Sequence, residues 1–118
     1  MDGLRIISTG HYAPDKVVTN DDISKIVDTS DEWITERTGI KRRHFCTEDD
    51  NNVTMALEAA KIALDKAGIE RNEIGCLVVS TFSGDYLVPS AACQVQEKLG
   101  LSDEIICFDL NAACSGFV

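Results

Sequence analysis

Two kinds of hydrophobic pattern alternate along the second half of the chain. In the first kind, over residues 52–68 and again over residues 89–100, apolar residues recur every three or four positions, which predicts helices. The first of these helices is rich in alanine, and both end at a glycine. In the second kind, apolar and β-branched residues form unbroken runs over residues 74–81 and 105–110, as is typical of strands covered on both faces.

The first half of the chain carries shorter patterns. Residues 4–9 are apolar and β-prone, which predicts a strand. Asn20 is placed to cap a short helix, and Thr29 has capping-box spacing with the acid three residues later, which predicts the start of a second helix. Gly39 is expected to end that helix, and residues 40–45 are expected to be extended or loop-like.

Together these elements define the predicted fold class. Strands that alternate with helices favour an α/β layer in which parallel strands are joined by right-handed crossovers. A chain of 118 residues buries enough surface for one hydrophobic core, so we expect one domain or part of one. A further helix is predicted from Asn111 onward, and because the last residue falls within it, we expect residues 1–118 to be truncated inside that helix.

The charge balance narrows the classes of function. With 20 acidic and 11 basic residues the formal net charge is −9, which argues against a general nucleic-acid binder or a protein that docks on anionic membranes. The N-terminus lacks the regions of a signal peptide, and no apolar run approaches the roughly 20 residues that span a bilayer. Five cysteines without a C-x-x-C pair are most simply reduced thiols in a cytoplasmic protein, four of them serving only to pack.

Cys114 is the candidate nucleophile. It follows a predicted buried strand, at the end where α/β sheets bind ligands, and its neighbours are small. At the start of a helix, backbone N–H groups would stabilise its thiolate and hold the carbonyl oxygen of a substrate. The alternative is a small buried cysteine that tolerates close packing, and the residues alone leave both interpretations open. Neither His11 nor His44 is expected to act as its catalytic partner.

A second candidate site lies on the helix predicted to begin near Thr29. Thr29, Trp33 and Arg37 are spaced four residues apart, so on a helix they form one stripe with a hydroxyl, an indole and a guanidinium. The window of residues 37–43 holds four of the 11 basic residues and no acid. A ligand with a purine to stack on Trp33 and phosphates to bind Arg37 would match the side chains of this stripe. A Trp packed in the core beside a solvated loop is the alternative, and the general burial of aromatic residues favours it.

Three motifs in the right order resemble one enzyme family. Residues 28–34 read DTSDEWI and are followed by RTGI, residues 89–92 read PSAA ahead of a helix, and residues 109–117 read DLNAACSGF. These segments are similar to the β-ketoacyl-acyl-carrier-protein synthase III family. The resemblance covers essentially the whole chain. It implies a thiolase-like fold with layered α-β-α architecture, of which this sequence would be most of the N-terminal half.

The resemblance also implies roles for individual residues. Cys114 matches the family's active-site cysteine, which accepts the acyl group from acyl-coenzyme A before decarboxylative condensation with malonyl-acyl-carrier protein. Thr29 and Trp33 match positions that contact the adenine of coenzyme A, and Arg37 matches a contributor to its binding, which reverses the packing preference for Trp33. Val88 lies in the loop that family dimers insert toward the partner's acyl pocket, at a position where an aromatic residue often sits.

The same resemblance implies a cytoplasmic homodimer that uses acyl-coenzyme A as a substrate and needs no cofactor or metal. The family's catalytic His and Asn have no counterpart in these 118 residues, so the chain alone is expected not to carry out the condensation. Two alternatives stay open at this point. One is a specialised condensing enzyme or acyltransferase of a polyketide or other secondary pathway, and the other is a non-catalytic module that binds acyl-coenzyme A.

Overall fold

The computed structural model of the chain describes residues 3–117 and divides into two compact units. One unit is formed by residues 13–50, and the other by residues 3–12 together with residues 51–117. In chain order the elements are β1 (Lys16–Thr19), α1 (Asn20–Ser24), α2 (Asp31–Thr38), β2 (Arg42–Phe45), α3 (Asn52–Ala67), β3 (Cys76–Ser80), α4 (Ala91–Leu99) and β4 (Ile106–Leu110). Single turns of 3₁₀-helix form at Arg71–Glu73 and Ala113–Ser115.

The unit of residues 13–50 is built on an antiparallel pair, β1 and β2, so the extended form predicted for residues 40–45 is confirmed. Helix α1 begins after Thr19, and the prediction that Asn20 caps it is wrong by one residue. The Thr19 hydroxyl accepts the Asp22 N–H at 3.2 Å, and the Asp22 carboxylate accepts the Thr19 N–H at 3.1 Å. Because this reciprocal box is complete without Asn20, the Asn20 side chain is turned inward, where it is 1% exposed.

Helix α2 begins one residue later than predicted. Its N-cap is Ser30, whose hydroxyl accepts the Trp33 N–H at 3.1 Å, and Thr29 therefore lies outside the helix. The predicted stop at Gly39 is confirmed, because Gly39 adopts a left-handed conformation with φ of 72° and donates its N–H to Thr35. Ile34 is the buried residue of this helix.

The second unit contains the parallel pair predicted from the unbroken apolar runs. Strands β3 and β4 pair in parallel, with Cys76 opposite Ile106 at one end and Ser80 opposite Leu110 at the other. Helices α3 and α4 pack together and cover one face of this pair. Both helices end at the predicted glycine in a left-handed conformation. The core between helices and sheet is formed by Val53, Leu77, Val79, Ala91, Val95 and Leu99.

Two strand predictions are wrong in the part of the chain that the structure describes. Residues 4–9 form no strand, because no neighbouring strand supplies a hydrogen-bonding ladder; instead the Ser8 hydroxyl donates to the Ala63 carbonyl of α3 at 2.6 Å. The strands β3 and β4 are covered on one face rather than both. On the other face Val78 and Ile106 are 45% and 64% exposed, since both described helices of this unit lie on the opposite side. Within residues 3–117 no helix has the length and apolar character needed to cross a membrane.

Candidate active site

Cys114 lies on the turn that follows β4, at the carboxyl end of the strand, as predicted. The α-helix predicted from Asn111 onward is not formed in the described residues; a single 3₁₀ turn takes its place. Its bonds join residues three apart, from the Ser115 N–H to the Ala112 carbonyl at 3.0 Å and from the Gly116 N–H to Ala113 at 3.1 Å. The thiol of Cys114 is exposed on this turn, so the interpretation of a buried packing cysteine is wrong within the described chain.

The backbone at Ala113 explains why no α-helix begins here. Ala113 has φ of 45°, the one positive value among the described residues other than glycine, and an α-helix cannot include it. A left-handed conformation costs an L-residue roughly 1–2 kcal/mol. The strained residue lies directly before Cys114, in the turn that carries the exposed thiol. Such strained turns at strand ends are typical of exposed nucleophiles.

Glycine at position 116 allows the turn to approach the neighbouring strand closely. A Cβ atom at Gly116 would overlap the hydroxyl of Ser80, the last residue of β3. The turn that carries Cys114 is therefore seated against the ends of both parallel strands. This arrangement places the thiol at the edge of the sheet where α/β folds bind ligands.

A carboxylate ties β4 to the first turn of α4 on the inner side of the same sheet edge. The side chain of Asp109 accepts the N–H of Ala91 at 2.8 Å and the N–H of Ala92 at 2.7 Å. We call this pair of bonds the Asp109 clamp. The first N–H groups of a helix have no partner within the helix, and the positive end of the helix dipole favours a carboxylate there. The clamp fixes the end of the strand from which the Cys114 turn departs.

The other four cysteines differ from Cys114 in their positions, and one of them, Cys107, has a raised pKa. Burial raises the pKa of the Cys107 thiol to about 11, with a smaller contribution from the neighbouring Cys93 thiol, so Cys107 is protonated at neutral pH. The prediction that four cysteines pack inside is wrong for three of them, because Cys46, Cys76 and Cys93 are exposed. Exposure therefore does not single out Cys114, whereas its place on the strained turn does.

The stripe predicted on α2 is partly formed. Trp33 is 53% exposed, which contradicts the interpretation of a core anchor, and the guanidinium carbon of Arg37 lies 4.7 Å from its ring centroid. This is a cation–π geometry. Thr29 precedes the helix, but it still lines a cavity of about 640 Å³ together with Trp33. Arg37 is not among the residues that line this cavity. The apolar part of the wall is formed by Ile23, Val27 and Ile34.

The basic window of residues 37–43 is less available to a ligand than the sequence indicates. Arg43 Nη2 donates to the side-chain oxygen of Asn20 at 2.6 Å, and Nη1 donates to the Val18 carbonyl at 3.4 Å. Arg43 therefore links β2 to β1 and to Asn20, and its guanidinium is bonded within the unit. Sequence reasoning missed the role of Asn20, because an asparagine before a helix carries the same signal whether it caps the helix or faces inward.

The loop between β3 and α4 is exposed and apolar. Val88 in this loop is 85% exposed, and the neighbouring Leu87 is 98% exposed. A cavity of about 530 Å³ beside the loop is lined by Phe82, Tyr86, Leu87 and Phe108 among others, but not by Val88. The peptide bond between Val88 and Pro89 is cis. Helix α4 begins at Ala91, so Pro89 precedes the helix instead of lying in its first turn.

The two histidines have different surroundings. His44 Nδ1 hydrogen-bonds the Pro14 carbonyl, which ties β2 to the start of its own unit. His11 is exposed. Among the described residues no group of His, Cys, Asp and Glu side chains is arranged to hold a metal ion.

Comparison with solved structures defines the class of protein. The chain is similar to 3-oxoacyl-[acyl-carrier-protein] synthase III from Aquifex aeolicus, with a TM-score of 0.92 and 47% identity over 98% of this chain and 37% of that one. It is also similar to the priming β-ketosynthase of the R1128 polyketide pathway, with a TM-score of 0.88 and 34% identity over 98% of this chain and 36% of that one. The fold is that of the thiolase-like condensing enzymes, as the resemblance implied.

Sequence comparison gives the particular family. No protein-family model matches the chain. A β-ketoacyl-[acyl-carrier-protein] synthase III of Vibrio parahaemolyticus is 53% identical over 114 residues, which cover 97% of this chain and 36% of the relative. The chain belongs to the β-ketoacyl-acyl-carrier-protein synthase III family, so the resemblance is confirmed. It spans about 36% of the length of the Vibrio relative.

Proposed function

We propose that the chain is the N-terminal part of a longer condensing enzyme that initiates fatty acid synthesis, and that Cys114 is its acyl-accepting nucleophile. The observation that supports this most directly is the exposed Cys114 thiol on a strained turn at the carboxyl end of β4. Family membership supplies the reaction class. The substrates are acyl-coenzyme A and malonyl-acyl-carrier protein.

The first step transfers the acyl group to the enzyme. Cys114 loses its proton, and the sulfur attacks the thioester carbonyl of acyl-coenzyme A. The bond from that carbonyl to the coenzyme A sulfur breaks, and the coenzyme A thiolate leaves and takes up a proton. In the second step, malonyl-acyl-carrier protein loses carbon dioxide, and the resulting carbanion attacks the acyl-cysteine. The β-ketoacyl thioester is released, and the Cys114 sulfur is regenerated.

Coenzyme A would be held by the unit of residues 13–50. The half-exposed indole of Trp33 offers a stacking surface for adenine, and Thr29 lines the same cavity with a hydroxyl. The Arg37 guanidinium, held over the indole, supplies a cation for a phosphate. Coenzyme A carries both a purine and phosphates, so one ligand satisfies all three side chains.

The loop that contains Val88 is proposed to face a second copy of the enzyme in a cytoplasmic homodimer, where it would contribute to the acyl pocket. Its support is the exposed apolar sequence Tyr86, Leu87 and Val88, because contiguous exposed apolar residues are typical of interaction surfaces. Valine in place of a larger aromatic ring would leave room for the acyl primer.

A second function is favoured by one finding. The R1128 priming β-ketosynthase is similar over 98% of the chain, so a condensing enzyme of a polyketide pathway would share this fold. Assays with acyl-coenzyme A primers of different length and branching would separate the two. Fatty acid synthesis is preferred because the Vibrio relative, at 53% identity, bears the name of the fatty-acid enzyme.

The test is intact-mass measurement of the full-length polypeptide after incubation with acetyl-coenzyme A. We expect one acetyl adduct that the Cys114→Ala variant loses and the Cys93→Ala variant keeps, since both cysteines are exposed and only Cys114 lies on the turn. An adduct that persists in Cys114→Ala would overturn the assignment of the nucleophile. Coenzyme A binding without any adduct would identify a non-catalytic binding module instead.

A further inference from the structure

Asn20 is the one buried polar residue in the part of the chain that the structure describes. It is 1% exposed, and its amide nitrogen donates to Asp31 Oδ1 at 2.7 Å, to the Ile40 carbonyl at 2.8 Å and, more weakly, to Thr35 Oγ1 at 3.3 Å. Its amide oxygen accepts from Arg43 Nη2 at 2.6 Å. One side chain thus joins the start of α2, the middle of α2, the loop after it and strand β2.

Helix α2 depends on these polar bonds because it has little apolar surface with which to pack. Its sequence is DEWITERT, and Ile34 is its one buried residue. Asp31 and Thr35 lie one turn apart on the same face, and both are bonded to Asn20. Trp33 and Arg37 are each two residues further on, which places them on the opposite face of the helix.

We propose that Asn20 is a positioning residue for coenzyme A: it holds the Asp31–Thr35 face of α2 inward, so that Trp33 and Arg37 are presented outward. The inference rests on the proposed coenzyme A site. Asn20 itself is buried on the inner side of the helix and is not proposed to contact the ligand. Its effect reaches the ligand only through the orientation of α2.

Two substitutions separate the bonds that the Asn20 amide nitrogen donates from the bond that its amide oxygen accepts. Asn20→Leu keeps the approximate shape but removes every bond, which leaves the Asp31 carboxylate and the Arg43 guanidinium without this partner. Asn20→Asp keeps an acceptor for Arg43 but replaces both N–H donors with an oxygen that faces the Asp31 carboxylate. If donation to Asp31 orients α2, both variants weaken coenzyme A binding.

A double variant offers a rescue that general destabilisation would not. In Asn20→Asp combined with Asp31→Asn, the amide and the carboxylate exchange places, so the bond between positions 20 and 31 can form again in the reverse direction. The bond to the Ile40 carbonyl is not restored. We therefore expect a partial recovery.

The experiment uses Trp33, the single tryptophan of the 118-residue sequence, as its reporter of the orientation of α2. Coenzyme A binding to the full-length polypeptide is measured by calorimetric titration. The near-ultraviolet circular dichroism of Trp33 is recorded without ligand as the difference from the Trp33→Phe variant, which removes the signal of any tryptophan outside these 118 residues. We expect Asn20→Leu and Asn20→Asp each to raise the dissociation constant about tenfold, and the double variant to recover at least half of that change on a logarithmic scale. The ligand-free dichroism signal changes in the same order.

Val18→Ala is the matched control, because Val18 is a 7% exposed core residue of the same unit. It should lower the melting temperature as the Asn20 variants do, but leave the dissociation constant near that of the wild type. Wild-type affinity in Asn20→Asp, or an equal loss in Val18→Ala, would overturn the positioning role. If the wild type itself does not bind coenzyme A, the proposed site fails, and an unchanged Trp33 dichroism in Asn20→Leu would then separately refute the orientation of α2 by Asn20.

Discussion

In the proposed coenzyme A site, Arg37 would support the ring of Trp33 and bind a phosphate. Its guanidinium lies 4.7 Å from the Trp33 ring centroid, so the planar cation and the indole support one another. A lysine could supply the charge at this position, but it has neither the flat surface nor the fork of N–H donors. The residue therefore preorganises Trp33 and contributes a charge at the same time.

Replacement of Arg37 by alanine is expected to raise the dissociation constant of coenzyme A about tenfold to a hundredfold, because a charge-assisted contact and the support of the indole are both lost. The measurement is a calorimetric titration of the full-length polypeptide. Arg71→Ala removes an arginine from the other unit and serves as the charge-matched control. Identical titration curves for Arg37→Ala and the wild type would exclude the stripe as the binding site.

At the scale of elements, the Asp109 clamp joins strand β4 to the start of helix α4 through two charge-assisted hydrogen bonds. Both N–H groups that it satisfies lie in the first turn of α4, and both bonds are shorter than 2.9 Å. The strand end held in this way leads directly into the turn that carries Cys114. Stability and the placement of the thiol are thus coupled through one carboxylate.

Removal of the clamp by Asp109→Ala is expected to lower the free energy of unfolding by about 1–3 kcal/mol, since two helix N–H groups lose a charged acceptor. Asp109→Asn should fall between this variant and the wild type, because an amide retains one acceptor oxygen. Urea denaturation followed by far-ultraviolet circular dichroism measures the change. Asp103→Ala, at an exposed acid before β4, is the control; a loss as large as that of Asp109→Ala would argue against the clamp.

Elements specified by local signals could be predicted from the sequence, whereas those that need distant partners could not. The glycines that end α2 and α3 act within their own helices, so both helix ends were predictable. Residues 4–9 have the composition of a strand but no strand to pair with in the described chain. The helix expected after Asn111 is prevented by the left-handed Ala113, and nothing in the identity of an alanine indicates such a conformation.

The candidate site also contains some residues whose roles could be predicted from the sequence and others whose roles could not. Cys114 and the pair Trp33 and Arg37 could be found from motif and spacing, because their chemistry is visible in the side chains themselves. The bonding of Arg43 within its own unit could not be predicted, since it depends on a hydrogen bond to Asn20, which lies 23 residues earlier. The burial of Asn20 depends on β1, α2 and β2 together, so no local sequence pattern indicates that Asn20 is buried.

At the scale of the whole molecule, the chain carries the candidate nucleophile of the proposed reaction. It spans about 36% of the length of the Vibrio relative. His44 is bonded to the Pro14 carbonyl, and His11 is exposed. The resemblance implies a catalytic His and Asn that have no counterpart in these 118 residues, and in the proposed reaction those two groups would stabilise charge during the condensation step.

The 118-residue chain alone is expected to form no β-ketoacyl product from acetyl-coenzyme A and malonyl-acyl-carrier protein, because stabilisation of the developing oxyanion contributes orders of magnitude to such rates. Mass spectrometry of the carrier protein measures the product. The full-length polypeptide, assayed in parallel, should form it. Product from the short chain at a comparable rate would show that the residues described above suffice for catalysis.

The contact between Gly116 and Ser80 makes two positions that are distant in sequence into one steric unit. A side chain at position 116 would occupy the space of the Ser80 hydroxyl, so this contact requires glycine. Because Gly116 closes the turn that carries Cys114, a Cβ atom there would push that turn away from the end of β3. The position of the Cys114 thiol is therefore set in part by a residue that has no side chain.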